Sequence, residues 1–216
     1  MKHDPMKTND CTKGILAGAA LAALPAVGRD TNTVNDLVAR IKNKDDSIRG
    51  PAWQTAESAG APAVRPLGQV MMDPDFETAR AAKRALYRIV RHAGRPGAKH
   101  EAEAVTEELV LVLVNAPAHV RRQAVWMLSE IAGDKVVPEI AALLADPQVR
   151  EDARCALIRL GSKKATAALK AAFANAPEEF KYALADSLRE EGVKVNGYPS
   201  QKLVPSRKTT VGESTG

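Results

Sequence analysis

Large rings are nearly missing from this chain: Phe, Trp and Tyr together make up 4% of its 216 residues. Apolar residues as a whole reach 45%, so the core must be assembled from Ala, Val, Ile and Leu. That composition suits helices that approach one another closely. Cysteine is equally scarce. Cys11 and Cys155 are too few for a disulfide framework, and Cys155, between Ala153 and Leu157, reads as a buried small apolar residue. No run approaches the ~18 apolar residues that a membrane-crossing helix needs. A P-loop, a dinucleotide fingerprint, a nucleophile elbow and zinc-ligand spacing are all lacking. Asp152 and Asp186 have no recognisable catalytic partner. No catalytic residue, no metal and no cofactor is therefore expected.

Charge is present but spread. The formal net charge is +5. Residues 1–28 hold three Lys against two Asp, residues 29–192 hold 24 basic against 23 acidic residues, and residues 193–216 hold four basic residues against Glu213. A nucleic-acid binder concentrates basic charge on its folded surface. Here the body is nearly neutral and the excess sits in the tail.

What the chain does have is a recurring unit. Residues 120–133 (VRRQAVWMLSEIAG) return as 149–161 (VREDARCALIRLG) and, more loosely, as 180–192 (FKYALADSLREEG). Earlier copies lie at 48–60 and within 79–94. Each reads as a helix, with a basic residue near its start, an apolar stripe and a Gly just past its end. The closing glycines are Gly60, Gly94, Gly133, Gly161 and Gly192, each suited to a left-handed C-cap. A shorter helix precedes each copy, over 34–42, 61–72, 101–114, 136–145 and 163–174, with apolar residues at helical spacing. Asp73-Pro74, Ala116-Pro117, Asp146-Pro147 and Ala176-Pro177 mark the turns, where proline suits a first helical position and Asp73 and Asp146 suit capping. Helical units at a period near 30 predict an all-α solenoid. The second unit departs from the pattern: its second helix is longer, and 94–102 reads as an inserted loop.

The D-P turn, the V-R start, the small residue at Ala52, Ala124 and Ala153, the leucine at Leu128, Leu157 and Leu188 and the closing Gly resemble HEAT repeats. The resemblance covers roughly residues 33–192 and is strongest to the short bacterial HEAT-like repeats also found in phycobilin lyases. It implies a right-handed α-solenoid of about five helix pairs, whose second helices line a concave face that binds another protein. Two other functions come by analogy. One is a chromophore lyase-like or chaperone subunit. The other is a nucleic-acid-binding protein of the DNA glycosylase type, which Trp126 with Arg122 or Arg154 faintly echoes. Di-iron hydroxylases on such repeats need several facing His-Glu pairs, and His100-Glu101 is the only such pair here.

Two features stand out as candidate partner-binding residues. Arg80, Arg84, Arg88, Arg91 and Arg95 form one stripe along a helix, opposite Ala82, Leu86, Ile89, Val90 and Ala93. The stripe suits an acidic partner or a phosphate. Equally, it suits pairing with Glu101, Glu103, Glu107 and Glu108, or plain solvation. Trp53 and Trp126 occupy equivalent helical positions, as interface anchors or as fillers between stacked repeats; Tyr87 invites the same two readings.

The ends differ from the body. Lys2, Lys7 and Lys13 precede the apolar run 15–24, then Pro25 and the triplet Ala26-Val27-Gly28. That is the layout of a secretory signal, against which stand Asp4 and Asp10. Residues 1–28 are thus a signal peptide on an exported protein, or a leader on a cytoplasmic one. Residues 193–216 read as an extended tail that caps the last repeat through Tyr198, Leu203 and Val204. N-terminal sequencing of the native protein is expected to find a start near Arg29; an intact Met1 would disprove cleavage.

Overall fold

The computed structural model describes residues 27–200, with side chains from residue 33. The leader and the tail anchors Leu203 and Val204 lie outside the described residues. Within them the chain is helical throughout, as ten α-helices. In order they are α1 (Val27–Ile41), α2 (Asp46–Gln54), α3 (Val64–Val70), α4 (Phe76–Ala93), α5 (Lys99–Asn115), α6 (Ala118–Ile131), α7 (Val137–Ala142), α8 (Arg150–Leu160), α9 (Lys163–Asn175) and α10 (Glu178–Glu190). Short 3-10 turns adjoin α2, α3 and both ends of α7.

The odd- and even-numbered helices form two layers. In the layer of second helices, α2 packs on α4, α4 on α6, α6 on α8 and α8 on α10. In the layer of first helices, α1 packs on α3, α3 on α5 and α7 on α9. This is an α-solenoid of five helix pairs. One apolar cluster runs its whole length, from Val34 on α1 to Leu188 on α10. Its repeated members are buried: Leu128 and Leu157 are fully enclosed, Leu188 nearly so, and Ala52, Ala124 and Ala153 are buried with them. Enclosing each leucine contributes roughly 1.5–3 kcal/mol. A methyl at the alanine positions lets the next helix come close where a ring would hold it off.

Local signals start and stop the helices, though not always at the residues the spacing suggests. Asp45 caps α2 by accepting from Ser47 N–H at 2.8 Å, and Ser162 caps α9 by accepting from Ala165 N–H at 3.1 Å. At α4 the cap is Asp75, which accepts from Thr78 N–H at 2.8 Å. Asp73, the expected cap, instead accepts from Asp75 N–H at 3.0 Å and shapes the turn before it. Hydrogen bonds from Thr78, hydroxyl and then N–H, hold the Asp75 carboxyl below its ordinary 3.8. Asp146 likewise caps nothing. It accepts from Gln148 N–H at 2.9 Å and from Arg121 at 2.8 Å. Pro117 and Pro177 stand at the N-cap itself, with extended backbone, rather than at the first helical position.

Other expectations also need correction. The inserted loop is short: α4 runs to Ala93 and α5 begins at Lys99, so residues 99–102 are helical. The fourth first helix is broken into α7 and its flanking 3-10 turns. Pro147 contributes to this break by forcing extended backbone on Asp146. Cys155 is exposed, not buried; it lies on the outward side of α8, one step round from the buried Ala156 and Leu157.

Of the five closing glycines, Gly60, Gly133, Gly161 and Gly192 have positive φ, whereas Gly94 has φ −78°. Gly161 is a left-handed cap, its N–H donating to Leu157 C=O at 3.3 Å. Gly94 is favoured for a different reason. A β-carbon there would lie 2.8 Å from Ile131 Cγ2, where the ends of α4 and α6 converge.

The first residues of the tail lie on the last repeat. Tyr198 packs edge-on against Phe173 and Tyr182, at centroid distances of 5.3 and 5.2 Å. Arg189 donates to the carbonyls of Gly197 and Tyr198 at 2.8 and 2.6 Å. These bonds hold Tyr198 in a left-handed conformation, φ 48°, which disfavours a non-glycine residue.

Gly94→Ala is expected to destabilise the protein by ~1–3 kcal/mol through overpacking. Combining it with Ile131→Ala, which removes the opposing methyl, should recover part of that loss in a urea-denaturation double-mutant cycle. Strict additivity of the two changes would show that the close approach does not matter.

Candidate interaction surface

The second-helix layer brings the predicted residues onto one face. Trp53, Tyr87 and Trp126 each stand seven residues before a closing glycine, Gly60, Gly94 and Gly133, on α2, α4 and α6. Three neighbouring helices thus present three rings in a row. Trp53 and Tyr87 are half-buried, and Trp126 is 45% exposed.

Each ring is tied to an arginine. The Arg84 guanidinium lies 5.0 Å from the Trp53 centroid, across the α4–α2 seam. Arg159 of α8 sits 3.9 Å above Trp126 of α6, and its outer nitrogen pairs with Glu130 at 3.3 Å. Arg91 lies 5.6 Å from the ring of Tyr87 on its own helix. The Tyr87 hydroxyl donates to Gln123 Oε1 of α6 at 3.3 Å. Burial, then the Glu130 carboxylate, push this phenol above its ordinary 10.0, although Arg91 and Arg159 oppose the shift. It stays a neutral donor.

The arginine stripe divides into two kinds of residue. Arg88 directs Nε and NH2 onto the Gln54 carbonyl at 3.0 and 2.6 Å, with Glu57 3.7 Å away. Arg122 does the same one repeat on: Nε and NH2 reach the Gln148 carbonyl at 2.9 and 2.6 Å, and Asp152 lies at 3.5 Å. Arg154 donates to Ser187 Oγ at 2.7 Å and pairs with Glu151 at 2.8 Å. These three stitch one repeat to the next. Arg80 pairs with Glu77 on its own helix.

Arg84 and Arg91, by contrast, hold only rings: among the described residues neither has an ion pair within 4.0 Å or a side-chain hydrogen bond. They are the cations of the stripe still open to a carboxylate. The expected pairing with the α5 glutamates is met by Arg95 alone, to Glu101 at 2.6 Å. Glu103 is taken by Lys135 at 2.6 Å and Glu108 by Arg65. Helix α5 faces the other layer, out of reach of the middle of the stripe. Among the described residues no group of three or more His, Cys, Asp or Glu is placed to hold a metal.

Arg159 and Gln123 were missed from sequence. Arg159 lies a full repeat beyond Trp126, and only the stacking of α8 on α6 brings it over the ring.

Residues 106–189, from the middle of α5 to the end of α10, match the family model of HEAT repeats. These residues form HEAT repeats. Among solved structures, the crystal structure of an engineered protein resembles the chain, at 19% identity and a TM-score of 0.40, covering 77% of this chain and 82% of that one. No curated protein matches. The HEAT repeats thus include α6, α8 and α10, with Trp126, Arg122, Arg154 and Arg159.

If Arg88 and Arg122 hold repeats together, Arg88→Ala and Arg122→Ala should each lower stability by roughly 1 kcal/mol in urea denaturation. Arg91→Ala, which loses only a ring contact within its own helix, should cost ~0.5 kcal/mol or less. Equal losses for all three would remove the distinction.

Proposed function

We propose that the chain is a non-enzymatic scaffold that docks an acidic protein on its second-helix face. HEAT repeats are commonly used for protein interaction, which favours this class of function. The observation that carries the reading is the row Trp53, Tyr87 and Trp126 with Arg84 and Arg91 beside it, lacking carboxylate partners. Half-exposed rings with flat guanidinium groups are the side chains that dominate binding energy where proteins meet. Their contacts across the α2–α4 and α4–α6 seams fix them in place before a partner arrives, which reduces the ordering cost of binding.

The glycosylase-type reading draws less support. Arg122 and Arg154 are engaged by neighbouring repeats, so they do not stand free beside Trp126. No observation favours the chromophore-lyase reading.

The test is affinity capture followed by mass spectrometry, comparing wild type with Arg84→Glu/Arg91→Glu and with Trp126→Ala. Lys163→Glu/Lys164→Glu, on the opposite layer, serves as control. An acidic protein retained by wild type and the control, and lost by both face variants, is the expected result. Retention by every variant would remove this face from consideration.

A further inference from the structure

The layer of first helices is interrupted once. Where α3 meets α5, and α7 meets α9, the helices lie side by side. Between α5 and α7 there is instead a cleft of about 570 Å³. Val110, Ile131 and Val136 line the cleft, with Leu111 at its lip.

The sequence of α5 makes this opening unusual. Leu109–Val114 is apolar at six successive positions, so this part of the helix is apolar all round, and such a helix is ordinarily enclosed. Leu109, Val112 and Leu113 are buried in the core, yet Leu111 is 43% and Val114 71% exposed. An uncovered apolar face of little more than one turn, from Val110 to Val114, stands beside the open cleft, an arrangement suited to a helix laid in a groove.

The charges around it are not balanced. Lys135 closes on Glu103 at 2.6 Å. One turn further along α5 stands Glu107, with Glu139 across the cleft on α7; both line it. Neither has an ion pair within 4.0 Å among the described residues. Lys99 also lines the cleft, and Lys135 feels Glu107 at longer range. Glu103, Glu107 and Glu139 against Lys99 and Lys135 leave a net excess of one negative charge, set beside the apolar end.

We propose that this cleft receives an amphipathic helix from a partner protein. Its apolar stripe packs on Val110, Leu111 and Ile131, and a Lys or Arg one turn away faces Glu107 and Glu139. The site lies on the layer opposite Trp53 and Trp126 and shares no residue with that surface, so either can fail alone.

The probe is a dye-labelled synthetic helix of about 18 residues, five turns. It carries Leu at i, i+3, i+4 and i+7 and a single Lys one turn on, and is titrated into the full chain by fluorescence anisotropy. Saturable binding is expected, weakened about tenfold or more by Leu111→Asp. The pair Glu107→Lys/Glu139→Lys should weaken the Lys peptide and strengthen one bearing Glu in its place. Trp126→Ala should change neither. Circular dichroism verifies that each variant is folded, and the charge exchange decides the matter should Leu111→Asp fail to fold. Four results would overturn the proposal: no binding to the wild-type chain, binding indifferent to Leu111→Asp in a folded variant, binding indifferent to the charge exchange, or wild-type self-association abolished by Leu111→Asp, which would make a second copy the occupant.

Discussion

Everything in this molecule depends on small aliphatic side chains being sealed between neighbouring helix pairs. No pair could enclose its own stripe. Leu128 on α6 is fully buried because α5 covers it from one layer and α8 from its own; Leu157 on α8 is covered in the same way by α7, α9 and α6. Stability in such an array is close to a sum over neighbours, so a defect at one seam is felt mainly there. Ala52, Ala124 and Ala153 set the spacing. At the ends of α4 and α6 a β-carbon on Gly94 would crowd the Ile131 methyl, so glycine is favoured there.

Polar groups reinforce the same seams from outside. Arg88 and Arg122 each place two donors on a single backbone carbonyl of the neighbouring repeat, and Arg154 reaches Ser187 on α10. These bonds fix register where the apolar contacts, being non-directional, do not. The interaction surface follows from the same geometry. A ring on each of three stacked helices becomes a row, and arginines one repeat away complete it at Trp53 and Trp126, whereas Tyr87 takes Arg91 of its own helix. Interruption of the opposite layer at α7 has a different consequence: it leaves apolar surface of α5 uncovered instead of assembling side chains on it.

Residue pattern by itself determined the helix pairs, their number and the buried leucines and alanines. All of these are properties of period and of single-helix sidedness, which neighbours do not alter. It did not determine which arginines are engaged and which are open. That depends on where the Gln54 and Gln148 carbonyls fall after stacking, and a stripe of identical residues carries no sign of it. The left-handed caps were legible at Gly161 but misleading at Gly94, because the same residue type meets two needs, positive φ and close approach. Cys155 was misjudged because it lies between Ala153 and Leu157, both buried, while the helix turns its own side chain outward. Only tertiary structure could leave α5 and α7 apart and open a cleft between them, since that is a relation between two elements and belongs to neither.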